Sequence, residues 1–420
     1  MYTWRVYLTM KEHMLEKFKK YYNKSREERI DILKDLGLCE ESYKDLLNTK
    51  VMDNSLATRL VENQISILGL PLGLATNFVI NGKEYVIPMA IEEPSVIAAA
   101  SNAAKILGNI TCTSYGRQTI GQIALYDVKK DESIIYENKD KLLAIANNTN
   151  LKLVELGAGA KDLKVEKKGE FTILYLYVDT LDAMGANTVD TMLEAIAPIV
   201  EAMLEAKKLM SILSNYATSS LISARVKLEV EKEFGDRISL ACKLANVDVY
   251  RAVTNNKGIF NGIDALALAT GNDTRAIEAA GHAYATRTGK YRSLTNWHME
   301  DNILVGELTM PMSIATFGGS IGLNPASKIS LEILNNPNAI ELAKIAVALG
   351  LAQNFAALRA LVTEGIQKGH MKLQANSVAI FAGANDSEVD MVVDRMLKVK
   401  EINIQKAKEI LGDIRNASNS

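Results

Sequence analysis

YRAVTNNKGIFNGIDALALATGND, residues Tyr250 to Asp273, sets one cation, Lys257, among three short amides (Asn255, Asn256, Asn261) and two glycines (Gly258, Gly262). After Asp264 an uncharged Ala/Leu-rich run reads as helix and ends at Gly271-Asn272-Asp273. Glycine lets a backbone come close to a ligand, and amides orient polar groups. A lysine held in such a loop beside apolar surface is placed to meet an anion or a developing oxyanion. A solvated lysine on a surface loop accounts for the same residues.

The 420 residues, 48% hydrophobic and 23% charged, suit a globular chain of roughly two or three domains. A net charge of −2 gives no footprint for a nucleic-acid partner. Cys39, Cys112 and Cys242 are far apart and odd in number, which excludes a disulfide framework and fits a reducing, cytoplasmic setting. The four histidines (His13, His282, His298, His370) form no metal-binding spacing, so no metal is expected. Two uncharged runs, 63–82 and 308–327, are broken by proline, glycine and amides, and neither reads as a membrane span.

Outward from the opening stretch, residues 11–48 read as two or three amphipathic helices with a solvated charged face. Residues 78–89 form a hairpin signal around Asn81-Gly82. Pro94 then suits the first position of an Ala/Ser-rich helix, which puts Glu92 and Glu93 at its N-terminus. Dipole complementarity explains such acids, and so does a carboxyl group delivered by a strand-to-helix turn. Residues 110–214 alternate strand (118–126), helix (140–147), strands (163–165, 171–178) and helix (188–204), a small α+β unit. Just ahead of that last helix, Gly185 and Asn187 in DAMGANTVD (182–190) make a glycine turn feeding a helix N-terminus, an anion site or a plain turn with a cap. After Asn215 the chain is expected to return to long helices. Asp273 reads as the N-cap of the next one, and 304–310 as strand. His370 follows Gly365 and Gly369, a hinge pattern that fits a C-terminal lid. Gly318-Gly319-Ser320-Ile321-Gly322 matches the G-x-S-x-G elbow of serine hydrolases, although Asn324-Pro325 delays the helix that an elbow requires.

Taken in order, LPLGLATNF (70–78), PMAIEEPSVIAAAS (88–101), DAMGANTVDTM (182–192), ILSNYAT (212–218), NNKGIFNGID (255–264), ATGND (269–273), GGSIGLNP (318–325) and LAQNFAALRALVTEGIQKGHMKL (351–373) resemble class II 3-hydroxy-3-methylglutaryl-coenzyme A (HMG-CoA) reductase. This is the soluble bacterial and archaeal form. The resemblance implies an α+β fold: a large helix-rich substrate domain (1–109 and 216–366), an inserted small α+β non-Rossmann nucleotide-binding domain (110–215) and a C-terminal helical flap (367–420). It implies the two-step reduction of HMG-CoA to mevalonate and CoA with two NAD(P)H, in the mevalonate route to isoprenoids. Glu93, Lys257, Asp273 and His370 would form the catalytic set, with Asp273 holding Lys257 and Glu93 in one network. Asp182, Gly185, Asn187 and Asn215 would approach the cofactor, with Gly318, Gly319 and Ser320 beside them. Ser95, Arg251 and Asn261 would bind the HMG group. A homodimer or larger homo-oligomer is implied, with no nucleic acid and no membrane.

Three positions depart from the family pattern. Ser66 replaces a glycine in Glu62-Asn63-Gln64-Ile65-Ser66, the region associated with CoA, and Asp190 stands where an asparagine is usual. Asn150, with Lys152 close by, occupies the place of an aspartate that would favour NADH, so the resemblance leans towards NADPH. Two other functions remain open to the sequence: a serine hydrolase built on Ser320, and a non-catalytic relative that binds CoA or a dinucleotide.

Overall fold

Asn81 and Gly82, at φ 50° and 76°, turn strand β1 (Leu72–Ile80) back into β2 (Lys83–Ala90). Two successive left-handed residues are what a two-residue hairpin needs, and Asn-Gly supplies them with little strain. The structure, a computed structural model, describes residues 14–50, 52–319, 321–363 and 375–418. Helix α1 (Val96–Leu107) lays its alanines against β1, and β3 (Asn109–Ser114) then pairs parallel to β1.

The chain now crosses into a second sheet. Strands β4 (Thr119–Tyr126), β5 (Gly159–Lys168), β6 (Phe171–Asp179) and β7 (Lys207–Ser214) pair antiparallel in the order β5-β6-β4-β7. Helices α2 (Lys139–Asn148) and α3 (Ala186–Leu204) cover one face and bury Ile123, Leu125, Leu174 and Leu176 in a separate core. The inward side chains alternate along each strand, as a half-buried sheet requires. Each strand and helix read from residues 118–204 is present, β5 being longer than expected. Strand β7 is an addition.

The long helices expected directly after Asn215 begin later. Residues Leu221–Glu229 form β8, which returns to the first sheet. Ile222, Ala224 and Val226 alternate inward with period two, a signal that the neighbouring helical patterns obscured. Helices α4 (Lys232–Val247), α5 (Val249–Ala269) and α6 (Thr274–Ala285) follow, then β9 (Thr295–Glu300) and β10 (Ile303–Pro311). The completed sheet has the order β2-β1-β3-β8-β10-β9. Helices α7 (Pro325–Ile333) and α8 (Ala339–Val362) come next. Beyond them 375–381, α9 (Asp386–Val399) and α10 (Ile404–Ser418) share a small core of their own.

The opening stretch is not a loop. Asp248 caps α5, and the helix runs unbroken through Lys257, Gly258 and Gly262. Two of its three amides are structural. Asn255 donates to Ser293 Oγ at 2.9 Å and accepts from Asn354 Nδ2 at 3.0 Å. Asn256 clasps the 292–294 backbone, donating to Arg292 O and accepting from Leu294 N. Gly262 and Gly350 let α5 and α8 come together: a Cβ on Gly350 would meet Ile263 Cδ1 at 2.8 Å, and one on Gly262 would meet Leu349 at 3.1 Å. Helix α8 is long and apolar enough to cross a membrane, yet 72% of its most apolar window is buried inside the protein. It is the core helix of the larger unit.

Two consequences for stability follow from α5. Asn354 Oδ1 accepts from Trp297 Nε1 at 2.9 Å and from Thr295 Oγ1 at 3.0 Å, both fully inside the core. Asn354→Leu strands these donors and should lower the unfolding free energy by about 2–4 kcal/mol, measured by denaturant titration. On the α6 side, Asp264 Oδ1 is buried without a donor, and burial followed by the neighbouring Glu278 carboxylate pushes Asp264 up to about 8. The unfolded chain releases this proton near pH 4 while the folded chain keeps it, so stability falls as pH rises from about 4 to about 8 and then levels. Asp264→Asn should flatten that slope in denaturation midpoints taken across about pH 5–8. An unchanged slope would show that the proton is not held there.

Candidate active site

Glu93 comes from the bend between β2 and α1, and Lys257 from the middle of α5. Lys257 Nζ lies 2.8 Å from Glu93 Oε2, with side chains 60% and 39% exposed. An exposed pair of this kind adds little stability, so its value is chemical: an ammonium and a carboxyl group presented together at the surface. Ser95, two residues beyond Glu93, holds φ at 69°, a conformation that costs a non-glycine residue energy, and its Oγ donates to Pro94 O. Helix α1 therefore begins at Val96, two residues after the proline, because Ser95 breaks the helical path.

At about 100° per residue, Asn261 falls beside Lys257 on the open side of α5 with Gly258 next to it, and Arg251 lies on the Gly258 side about 15 Å before Asn261 along the axis. Gly258 contributes no side chain there, and its nearest neighbour would be Ala357 at 4.0 Å. The Asn261 amide and the Arg251 guanidinium make no side-chain hydrogen bond or ion pair among the described residues. Burial draws the Arg251 pKa down from its ordinary value, without a carboxylate to oppose it. The result is a polar strip along one side of α5: an ammonium and a free amide around a glycine, with a guanidinium about two to three turns before them. It suits a small group carrying a carboxylate and a hydroxyl.

Asp273 is elsewhere. It caps α6, accepting from Arg275 N at 3.0 Å and Ala276 N at 3.3 Å, and Arg275 grips both its carboxylate oxygens. The Arg275 contact leads the effects that hold its carboxyl below the usual range. Lys257 lies twelve residues before α5 ends at Ala269, about 18 Å along the axis. Within one chain, then, the hydrogen bonds of Asp273 go to Arg275 and the start of α6, and none reaches Lys257 or Glu93 among the described residues.

Asp273 keeps company with the other candidates. Asn272 ties the start of α6 to Ala315 through paired hydrogen bonds of 3.0 and 2.7 Å. Asp182 O accepts from Thr316 N, and Ala183 bridges Phe317, which brings the 180–185 turn beside Gly318 and Gly319. The Asp182 carboxylate is used structurally, accepting from Ala339 N at the start of α8. Gly185 sits at φ 84°, and a Cβ there would lie 2.2 Å from Thr180 Cγ2, so no other residue fits without moving the turn. Helix α3 starts at this glycine without a side-chain cap, which leaves its first N–H groups facing outward at the positive end of a 19-residue helix. Asn187 and Asn215 are exposed nearby, and a cleft lined by Thr119, Met184, Asn215, Ala276 and Ile277 joins this region to α6. An uncapped helix end facing two open, left-handed glycines fits the diphosphate of a dinucleotide.

Ser320 and His370 lie outside the described residues. The helix that a hydrolase elbow requires does not follow directly: α7 begins at Pro325, capped by Asn324, five residues past position 320. The departures have local explanations. Asp190 accepts from Leu213 N at 2.9 Å and pins α3 to β7, and Asn150 caps a short helix by accepting from Leu153 N. Ser66 lies in an exposed extended segment. Sequence reasoning joined Glu93 and Lys257 through Asp273 and missed the Arg275 fork on Asp273; Arg275 directly follows the Asp-Thr cap and was readable as its partner.

A family profile for hydroxymethylglutaryl-coenzyme A reductase matches residues 25–375. The 3-hydroxy-3-methylglutaryl-coenzyme A reductase of Archaeoglobus fulgidus is 44% identical over 412 residues, spanning 94% of each chain. A Streptococcus pneumoniae 3-hydroxy-3-methylglutaryl-coenzyme A reductase structure is 46% identical, with TM-score 0.81 over 94% of this chain and 99% of that one. Another, a class II enzyme from the same organism bound to NADPH in open conformations, is 46% identical with TM-score 0.79 over 93% and 100% of the two chains. The chain belongs to the HMG-CoA reductase family.

Proposed function

We propose that this chain reduces HMG-CoA through Lys257, Glu93, Asp273 and His370, and that each working site is assembled from two copies of the chain. The family reaction converts HMG-CoA to mevalonate and CoA with two NAD(P)H, and the bound nicotinamide supplies a hydride in each step. The observation that carries the reading is the 2.8 Å Lys257–Glu93 pair beside an unpartnered Asn261, with an unpartnered Arg251 earlier on the same helix. Arg251 and Ser95 would bind the HMG carboxylate, and Asn261 its hydroxyl. Lys257 would stabilise the oxyanion that forms when the thioester carbon accepts hydride. As the C–S bond breaks, His370 would give its proton to the departing thiolate, a far better leaving group once protonated. Glu93 would then donate the proton that the mevaldehyde oxygen takes up in the second reduction.

The two groups of residues support the two-copy reading. Substrate-side residues sit on the open face of α5, and cofactor-side residues cluster with Asp273 beyond its far end. Uncovered apolar surface is available for a partner: Ile65 and Leu68 are 98% and 91% exposed, and Tyr250 on α5 is 84% exposed. A homodimer with twofold symmetry would bring Asp273 of one copy to Lys257 of the other. Residues 110–215 would move as the nucleotide-binding unit and 367–420 as the flap carrying His370. Asn150 offers no carboxylate to repel a 2′-phosphate, with Lys152 exposed beside it, which favours NADPH. The enzyme would work in the cytoplasm.

Purified protein should oxidise NADPH or NADH only when HMG-CoA is added; no turnover with either nicotinamide sinks the reading. Lys257→Ala and Asp273→Ala should each be inactive alone. Random mixing of the two should restore about a quarter of wild-type activity, since half the dimers then carry one intact site. A mixture as dead as its parents would place both residues in one chain's site. His370→Ala should lose about 10²-fold or more in thioester reduction while free mevaldehyde is still reduced, as followed by NADPH absorbance. Equal losses in both steps would remove the thiolate-protonation role.

A further inference from the structure

Arg117 lies in the short link between β3 and β4, where the chain crosses from one sheet to the other. Its partly buried guanidinium fans out to three backbone carbonyls. Nε donates to Leu181 O, Nη1 to Ile314 O at 3.0 Å and Nη2 to Ala183 O at 3.0 Å. No carboxylate forms an ion pair with it among the described residues; Asp182 and Asp179 act only from farther away, against the burial that draws its pKa down. A guanidinium is a rigid plane with donors at fixed angles, so it sets the spacing of the groups it joins.

The three carbonyls belong to the two walls of the cofactor-side cluster. Leu181, itself left-handed at φ 52°, and Ala183 precede Gly185 in the turn that starts α3. Ile314 leads into Gly318-Gly319. The turn is also held locally, by Thr180 Oγ1 to Ala183 O at 2.8 Å and Thr119 Oγ1 to Met184 O at 3.1 Å. Backbone pairing of Asp182 with Thr316 and Phe317 joins the walls as well, and Arg117 is a side chain that spans both.

We infer that Arg117 is a positioning residue for the nicotinamide cofactor: it holds the 180–185 turn and the 312–319 loop at the spacing that the dinucleotide requires, and touches neither substrate. The inference rests on the reading of Gly185, Asn187 and Asn215 as the cofactor side. The Glu93–Lys257 patch receives nothing from Arg117, so the effect of losing it falls on one substrate. Lysine keeps the charge but not the planar fork, and methionine keeps the bulk but donates to none of the carbonyls.

The test compares wild type, Arg117→Lys, Arg117→Met and Asn215→Ala, the last as a direct-contact control. NADPH and NADH dissociation constants come from nicotinamide fluorescence, and steady-state rates are measured with each substrate varied. The expected result is a rise of about tenfold or more in nicotinamide Kd and KM for Arg117→Met, and a smaller rise for Arg117→Lys. KM for HMG-CoA and kcat at saturating cofactor should stay within about twofold. A parallel rise in both KM values, or an unchanged nicotinamide Kd, overturns the positioning role. If Arg117→Met does not fold, Arg117→Lys decides by the same criteria. Affinity lost in Asn215→Ala but kept in the Arg117 variants removes this inference alone. Affinity kept in all of them removes the cofactor reading together with it.

Discussion

The close approach of α5 and α8 is the constraint on which the larger unit depends. Gly262 fits against Leu349 and Gln353, and Gly350 against Ile259 and Ile263, so each helix contributes a glycine where the other needs room. Side chains at these points would push the axes apart and open voids around residues that are now fully buried, such as Leu349, Leu351 and Phe355. With the backbones this close, the amides of Asn255 and Asn354 reach each other at 3.0 Å, and Trp297 and Thr295 close the network. Asn255, Asn354, Trp297 and Thr295 partner one another inside an apolar core, which fixes the rotation of α5 about its own axis as well as its position.

That fixed rotation creates the site. One side of α5 is anchored by Asn255, Asn256, Ile259 and Ile263; the other is therefore committed to solvent with Lys257, Asn261 and the gap at Gly258. A lysine on a mobile loop would sample many positions. A lysine on a helix locked by buried amides presents its ammonium within reach of Glu93 at little further entropic cost. The neighbouring strand-to-helix bend supplies the carboxylate, and the strained Ser95 is part of how that bend turns.

Much of this was legible from sequence order. The hairpin at Asn81-Gly82 and the small α+β unit each announce themselves through turn residues and periodicity, and the motif order identified the family. What escaped had physical causes. The amides and glycines around Lys257 resemble loop chemistry, because the sequence does not reveal that Asn354, 99 residues away, will satisfy Asn255 inside a core. Strand β8 was lost among helical neighbours, although Ile222, Ala224 and Val226 alternate correctly. Arg117 carries no motif at all: its partners are backbone carbonyls, which have no side-chain identity to read.

Asp273 shows why motif order and site geometry are separate questions. Sixteen residues separate Lys257 from Asp273 (273 − 257 = 16), and in a helical protein that interval is long: α5 continues for three further turns before the chain reverses at Gly271. The reversal delivers Asp273 to the start of α6, where Asn272 fastens it to Ala315 and Arg275 holds its carboxylate. The same helix that positions Lys257 therefore carries Asp273 away from it and towards the glycine turns of the cofactor side. On the proposed reading, one rigid element would present substrate chemistry on its face and cofactor chemistry at its end. Two such elements, related by a twofold axis, can face each other so that each completes what the other lacks. Under the proposed two-copy site, this separation within one chain would make chemistry conditional on assembly, because neither half alone would hold both Lys257 and Asp273.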